Sequence, residues 1–171
     1  MTKGTEWKRI GNVREIKQDN WKICYNYEIY RVVIPTKINW DSSRELCHKL
    51  GEGSITEPQN ERDIADVVSL LENMNSTCKT VWTSISDEEV EGEFRSSETG
   101  KLITFLPWND DQPNGRRTQN HVGLDVKPKL FRDVHRSKQY CSACDLNKTL
   151  VVTLIGGCED TPFGKKGLFL N

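Results

Sequence analysis

The stretch PWNDDQPNG at residues 107–115 contains two prolines, a glycine, a tryptophan and five side chains that carry an amide or carboxylate oxygen. A sequence so polar and so interrupted by proline does not form a helix or a central strand. We therefore predict a long surface loop that presents oxygen atoms to solvent. Loops of this kind, held on a rigid scaffold, commonly carry binding functions.

The composition of the whole chain indicates one soluble globular domain. The chain has 171 residues, of which 35% are hydrophobic and 29% are charged, and these values suit a single domain with short extensions. The formal net charge of -1 argues against a nucleic-acid partner, because binding to phosphates requires a basic surplus. No run of the sequence approaches the roughly 18 apolar residues of a membrane helix, so we expect no membrane span in this chain.

Six cysteines in so small a domain indicate an extracellular protein, either secreted or the ectodomain of a membrane protein, that is held by disulfides. The sequons at Asn75 and Asn147 are candidate glycosylation sites and are compatible with secretion. Residues 1–8 lack the apolar core of a secretory signal, and the chain ends at Asn171 within what resembles a further strand. We therefore expect a fragment of a longer ectodomain or an incomplete gene model.

Two helices are predicted in the first half of the chain. Asn39 is a good N-cap for a helix that runs to Leu50 and turns Cys47 inward. The second helix is predicted to open at residues 58–61 and to end near residues 73–75, with an apolar stripe along one face. Strands are predicted at residues 21–34, 81–85, 122–126, 130–134, 139–146 and 150–155. Helices in the first half with strands on both sides of them indicate an α+β fold.

The order of these features resembles that of the C-type lectin-like domain. The matching residues are Trp40, Cys47, Val81–Thr83, Ile85, Asp87, Glu91–Phe94, Trp108, Gln112–Gly115, Phe131–Val134 and Cys144. The resemblance covers residues 21–146. It leaves residues 1–20 as an N-terminal extension and residues 147–171 as an extra strand or truncated extension. The spacing of the late cysteines is similar to that of arthropod ectodomains of this type.

This resemblance implies an α+β fold in which two helices pack on antiparallel sheets and disulfides staple the domain. It also implies that a long irregular loop region carries the ligand surface, and that the peptide bond before Pro113 is cis. The candidate ligand-binding residues are Trp108, Gln112, Asn114, Arg116, Arg132 and Asp133.

The resemblance further implies a disulfide between the first helix and the last core strand, Cys47–Cys144. The family's usual second bridge is altered here, because residues 119–122 read Gln-Asn-His-Val where its first cysteine is expected. We assign the other four cysteines as Cys78–Cys141 and Cys24–Cys158, although six cysteines allow many connectivities.

Two other uses of the late cysteines stay open. Cys141 and Cys144 have the spacing of a redox motif, although no strand–helix–strand context surrounds them. Together with His121 or His135 they are also compatible with a zinc site.

In sugar-binding members of this family, calcium is held by the outer residues of a Glu-Pro-Asn or Gln-Pro-Asp triplet, by a later glutamate and by an Asn-Asp pair. Here the triplet is Gln112-Pro113-Asn114, the pair is Arg132-Asp133, and no glutamate lies between Gly115 and Asp133. Calcium requires several oxygens with enough negative charge to offset its own, and an arginine beside the ion repels it. We therefore expect no calcium or other cofactor; if calcium does bind, its ligands are Gln112, Asn114 and Asp133.

Several basic residues follow the loop in the sequence. They are Arg116, Arg117, Arg132, His135, Arg136 and Lys138. If these residues cluster, the surface would suit an anionic ligand such as a sulfated glycan or an acidic protein patch. Dispersed, solvated charge is the alternative.

The sequence thus predicts an extracellular recognition module that binds a glycan or protein ligand through the loop region without calcium. Two alternatives stay open. One is a calcium-dependent lectin with a divergent Gln-Pro-Asn site, and the other is a structural spacer in a larger receptor or adhesion protein. An enzyme is not expected, because the three histidines are dispersed and the sequence has no nucleophile-elbow, phosphate-loop or zinc-protease motif.

Overall fold

The computed structural model describes the backbone of residues 7–18 and 21–154 and the side chains of residues 30–146. The elements, in chain order, are β1 (Trp7–Gln18), β2 (Trp21–Ile38), α1 (Trp40–Lys49), β3 (Ser54–Ile55), α2 (Glu61–Asn73), β4 (Thr80–Ser86), β5 (Arg95–Ser96), a short 3₁₀ helix (Arg116–Thr118), β6 (His121–Asp125), β7 (Leu130–Val134) and β8 (Tyr140–Leu154). Two helices and a sheet that is assembled from both halves of the chain make this an α+β fold, as predicted.

The strands form one mixed sheet in the order β1-β2-β8-β4-β6-β7, with β3 paired to β8 and β5 paired to β4. Among the described strands, every pairing is antiparallel except that of β4 with β8, where Val81 and Trp82 lie beside Cys141 and Ser142. The resemblance implied antiparallel sheets, and among the described strands this junction alone is parallel. The parallel pair arises because the chain enters both strands from the same end of the sheet.

Both helices begin where the sequence predicted. The side chain of Asn39 caps α1 by accepting a hydrogen bond from the Ser42 amide at 2.9 Å. Asn60 caps α2 in the same way through the amide of Asp63 at 3.1 Å. The apolar stripe of α2 is buried, as expected, because it packs against the sheet. Leu50, predicted as the last residue of the first helix, is its C-cap and is exposed, because the helix ends at Lys49.

Two strands are longer than predicted. Pro35 does not end β2, which continues to Ile38 past a register shift between Ile34 and Ile38, an irregularity at which a proline can be accommodated. Residues 140–154 form one continuous strand instead of the two that were predicted. Residues 7–18, expected to belong to an extension, form β1, and every residue of β1 pairs with β2.

The sheet separates two apolar clusters. The larger one lies under α2 and includes Val67, Leu71 and Phe131. The smaller one lies under α1 and is built around Trp40 and Trp82, whose indole N–H groups donate to backbone carbonyl oxygens at 2.9 Å and 2.8 Å. Satisfying these indole donors lets both large rings be buried without an unpaired polar atom.

Two disulfides attach β8 to other elements. Cys144 bonds to Cys47 in α1, and Cys141 bonds to Cys78, which lies two residues before the start of β4. Both bridges match the pairing assigned above. The first has a sequence separation of 97 residues, and closing so long a loop stabilises the fold by about 4–5 kcal/mol on the chain-entropy model.

These two bridges exclude the other two interpretations of Cys141 and Cys144. Because Cys141 and Cys144 each bond to a distant partner, the redox and zinc alternatives are wrong. The third assigned bridge, Cys24–Cys158, lies outside the described residues.

Candidate functional site

The predicted loop is fastened to the sheet by one buried carboxylate, that of Asp133 in β7. Its Oδ1 accepts the amide N–H of Asn114 at 3.1 Å, and its Oδ2 accepts the amide N–H of Gly115 at 2.6 Å. In return, the backbone N–H of Asp133 donates to Oε1 of Gln112 at 3.1 Å. Only 3% of Asp133 is exposed, so this exchange of hydrogen bonds is sheltered from water and correspondingly strong.

The geometry of the loop itself depends on its glycine and proline. The Gln112–Pro113 peptide bond is cis, as the resemblance implied. Gly115 lies so close to Gln119 that a β-carbon would overlap that side chain. The 3₁₀ helix that follows is closed by Thr118, whose hydroxyl donates to the carbonyl of Gly115 at 2.6 Å.

A second buried carboxylate, Asp125 at the end of β6, orients the neighbouring Arg132. Oδ2 of Asp125 accepts the Arg132 Nε–H at 2.6 Å and the Asn109 amide at 3.3 Å. Oδ1 accepts the hydroxyl of Thr80 at 2.8 Å. These partners hold one nitrogen of the guanidinium in place, while 41% of the Arg132 side chain remains exposed.

The surface between this part of the loop and β7 is a cleft of about 460 Å³, here called the loop cleft. Its lining consists of Gln112, Thr118, Gln119, Arg132, Asp133, Val134, His135, Lys138 and Tyr140. The ring of Tyr140 is half-buried, with its centre 4.9 Å from that of Trp82. Burial raises the pKa of the Tyr140 hydroxyl, which stays protonated and able to donate a hydrogen bond.

Three of the six predicted ligand-binding residues line the loop cleft: Gln112, Arg132 and Asp133. Asn114 and Arg116 lie next to the cleft in the loop but are not part of its lining. Trp108 lies apart from it and packs its ring against Phe94, with ring centres 4.8 Å apart.

Trp108 was named as a candidate ligand contact because it lies in the loop region that the resemblance assigns to the ligand surface. Its contacts are instead with the core: it also packs against Phe131 at 6.4 Å between ring centres, and its backbone forms a bridge with the same residue. Thr118, Gln119 and Tyr140 line the cleft but were not among the predicted ligand-binding residues. An aromatic residue at the start of a strand, directly before Cys141, was the available signal for Tyr140.

The donor set of the loop cleft does not suit calcium. Both carboxylate oxygens of Asp133 already accept backbone N–H groups, and Oε1 of Gln112 accepts a third. Asp125, a possible substitute ligand, is occupied by Arg132 and Thr80. A calcium ion would compete with these hydrogen bonds for the oxygen lone pairs and would bind beside a guanidinium group, which repels it.

The basic residues near the loop divide between two surfaces. Arg132, His135 and Lys138 line the loop cleft. Arg136 faces α1 instead, where it forms ion pairs with Asp41 and with Glu88, the latter at 2.9 Å between Nη1 and Oε1. Of these residues, Arg132, His135 and Lys138 share one surface, while Arg136 lies on another.

Arg136 belongs to a second polar site, here called the helix-side network, which surrounds His121. The imidazole of His121 is buried against the ring of Trp40, with ring centres 4.4 Å apart, and its Nε2 lies 3.8 Å from Oε2 of Glu88. Burial lowers the pKa of His121 to about 4, although nearby Glu88 and Asp41 oppose this shift. The imidazole is therefore neutral at physiological pH.

Of the two candidate glycosylation sites, Asn75 is exposed at the C-terminal end of α2 with a φ angle of 49°. The side chain of Asn147 lies outside the described residues. Among the described residues, no helix is long and apolar enough to cross a membrane.

A comparison with protein-family models found no match for this chain. Solved structures do share its fold. Human lithostathine is 16% identical with a TM-score of 0.62, over 78% of this chain and 97% of that protein. The C-type lectin CEL-I from Cucumaria echinata is 14% identical with a TM-score of 0.61, over 77% of this chain and 97% of the lectin.

The carbohydrate-recognition domain of the mouse scavenger receptor C-type lectin is also similar. It is 13% identical with a TM-score of 0.59, over 78% of this chain and 99% of that domain. The chain therefore has the C-type lectin-like fold. At these identities the likeness establishes the fold and leaves the ligand to be argued from the chain's own residues.

Proposed function

We propose that this chain is an extracellular recognition module that binds a glycan or protein ligand without calcium, through the loop cleft. The observation that carries this proposal is the state of Asp133. Its carboxylate is buried and bonded to two loop amides, so a protein group holds the shape of the loop. The loop is preorganised for binding, which lowers the cost of ordering it around a ligand.

Three further observations support a recognition function. The similar structures include a C-type lectin and a carbohydrate-recognition domain, and these are binding domains rather than enzymes. Two disulfides in a small domain suit an oxidising compartment, which supports an extracellular location. An open cleft lined by guanidinium, ammonium, amide and phenol groups offers directional contacts that a spacer domain does not need.

The proposal is tested by calcium titration of the oxidised domain, followed by thermal unfolding with calcium or with EDTA. A ligand at one hundred times its dissociation constant adds about 2.7 kcal/mol to stability, which raises the melting temperature by several degrees. We expect no such increase, with magnesium at equal concentration as the control for ionic strength.

The same protein is then screened against glycan and protein arrays in both buffers. We expect the bound ligands to be the same with calcium and with EDTA. Binding that EDTA abolishes, together with a calcium-specific rise in melting temperature, would establish a calcium-dependent lectin and overturn the proposal.

A further inference from the structure

The charges that the loop cleft presents to solvent are positive. The terminal nitrogens of Arg132 have no hydrogen-bond partner among the described residues, because Asp125 binds only Nε. Lys138 is exposed and forms no ion pair within the described part of the chain. The carboxylate of Asp133 is buried, and its oxygens are covered by the amides of Asn114 and Gly115. A ligand entering the cleft therefore meets cationic donors before it meets a carboxylate.

The other polar groups of the cleft also present donors. Nδ1 of His135 is engaged by the hydroxyl of Ser137 at 2.7 Å and by its backbone N–H at 3.2 Å, so Nε2 is the ring nitrogen that remains for a ligand. Because Oε1 of Gln112 accepts the amide of Asp133, the NH₂ group of Gln112 is the end that remains for a ligand. The protonated hydroxyl of Tyr140 adds a further donor. Such a donor-rich surface requires acceptors on the ligand.

The ring of Tyr140 distinguishes among anionic ligands. It is a half-buried aromatic surface beside the two cations, and it offers an apolar contact of the size of a sugar ring. The cleft volume of about 460 Å³ is within the range of sites for small ligands. A saccharide that carries an acidic group presents both the flat apolar face and the acceptors that these residues require.

We propose that the loop cleft binds an anionic saccharide, with its sulfate or carboxylate on Arg132 and Lys138 and its ring against Tyr140. This inference rests on the proposed function, since it names the ligand class of the same site. Arg132 provides two terminal N–H groups in a planar fork, which matches the geometry of a sulfate or carboxylate. Lys138 adds a mobile point charge at the rim.

The test is a titration of the oxidised domain, in EDTA, with a fluorescent sulfated hexasaccharide. Its desulfated form and a carboxylated form without sulfate are titrated in parallel. We expect the sulfated or the carboxylated ligand to bind at least about tenfold more tightly than a neutral one, because hydrogen bonds to a charged partner are the stronger kind. Binding should weaken as salt rises from about 0.05 M to 0.5 M, since the rim charges are screened.

Matched variants locate the interaction. We expect Arg132→Gln to weaken binding about tenfold or more, and Lys138→Gln, which removes an exposed charge, about threefold. Lys127→Gln removes an equally exposed lysine from the turn between β6 and β7, and it should change binding less than twofold. Arg132→Lys keeps the charge but loses the planar fork, so it should fall between wild type and Arg132→Gln. Unfolding curves for each variant show whether it is folded.

The outcomes separate this inference from the function on which it rests. The inference of an anionic ligand would be overturned by equal affinity for the neutral and acidic saccharides. It would also be overturned if folded Arg132 and Lys138 variants bound like wild type. Either result would leave the proposal of calcium-free recognition intact. Tighter binding of an acidic peptide than of any acidic saccharide would overturn the inference that the ligand is a saccharide. A requirement for calcium would overturn the proposed function itself. If Arg132→Gln fails to fold, the Lys138 variant and the salt dependence decide.

Discussion

Arg132 and Arg136 are four residues apart, and they contribute in opposite ways to the two polar sites of this domain. Arg132 gives one nitrogen to a buried aspartate, and the rest of its guanidinium lines the loop cleft. The guanidinium of Arg136 donates hydrogen bonds to two exposed carboxylates, those of Asp41 and Glu88. The same residue type therefore provides a binding group in the loop cleft and a structural tie in the helix-side network. Partners, and not the number of charges, decide which role an arginine has.

The largest expected effect concerns the fastening of the loop. Replacing Asp133 with alanine leaves the amides of Asn114 and Gly115 without their acceptors, and we expect a loss of about 2–4 kcal/mol in the free energy of unfolding. Urea unfolding measures this loss, and amide hydrogen exchange at these two residues should rise.

Asp110→Ala is the matched control, because Asp110 is an exposed aspartate of the same loop. We expect it to change the stability by less than about 0.5 kcal/mol. Equal effects of the two substitutions would show that the loop holds its shape without the buried carboxylate.

A smaller effect should appear on acidification, and it should come from the helix-side network. His121 has a pKa of about 4 when folded and an ordinary value of 6.5 when unfolded, so the unfolded chain binds more protons between these values. The stability that it contributes is complete above pH 6.5 and is lost as the pH falls towards 4. We expect a loss of about 1–3 kcal/mol across this window.

Urea unfolding at pH 4.5 and pH 7 measures this loss, and His121→Gln should reduce the difference between the two pH values. Glu88, Asp41, Arg136 and His135 act on the same imidazole, so the comparison with this variant isolates its own share. An unchanged pH dependence in His121→Gln would assign the acid sensitivity to other groups.

The smallest effect compares the two arginines directly. We expect Arg132→Gln to cost about 1–2 kcal/mol, because it leaves the buried charge of Asp125 with only neutral partners. Arg136→Gln should cost no more than about 1 kcal/mol, because Asp41 and Glu88 are 54% and 52% exposed and water replaces the lost partner. Urea unfolding of both variants at pH 7 gives the comparison. A larger loss from Arg136→Gln would reverse the roles assigned to the two sites.

Features that depend on neighbouring residues in the chain could be predicted from the sequence. Asn39 and Asn60 cap their helices by accepting from amides three positions later, so the local sequence was sufficient to predict where each helix begins. The cis bond before Pro113 and the bridge from Cys47 to Cys144 followed from the resemblance, which supplied the long-range pairing.

Features that depend on strand register could not be predicted. Arg132 lies opposite Gly123 in the β6–β7 pair, two residues from Asp125 along β6, and this register brings the guanidinium to that carboxylate. A β-carbon at Gly123 would approach the side chain of Thr80 to 2.9 Å, so a glycine at this position leaves room for Thr80. The packing partners of Trp108 could not be predicted for the same reason, because Phe94 and Phe131 reach it only through the folded sheet.

The bridge between Cys47 and Cys144 also has a mechanical consequence. Tension applied to the chain on either side of these cysteines would be transmitted through the S–S bond and would bypass the residues between them. The loop cleft, at residues 112–140, lies entirely within this bypassed segment. Pulling is therefore expected to strip β1 and β2 from the part of β8 that follows Cys144, while the backbone between the two cysteines lies outside the loaded path.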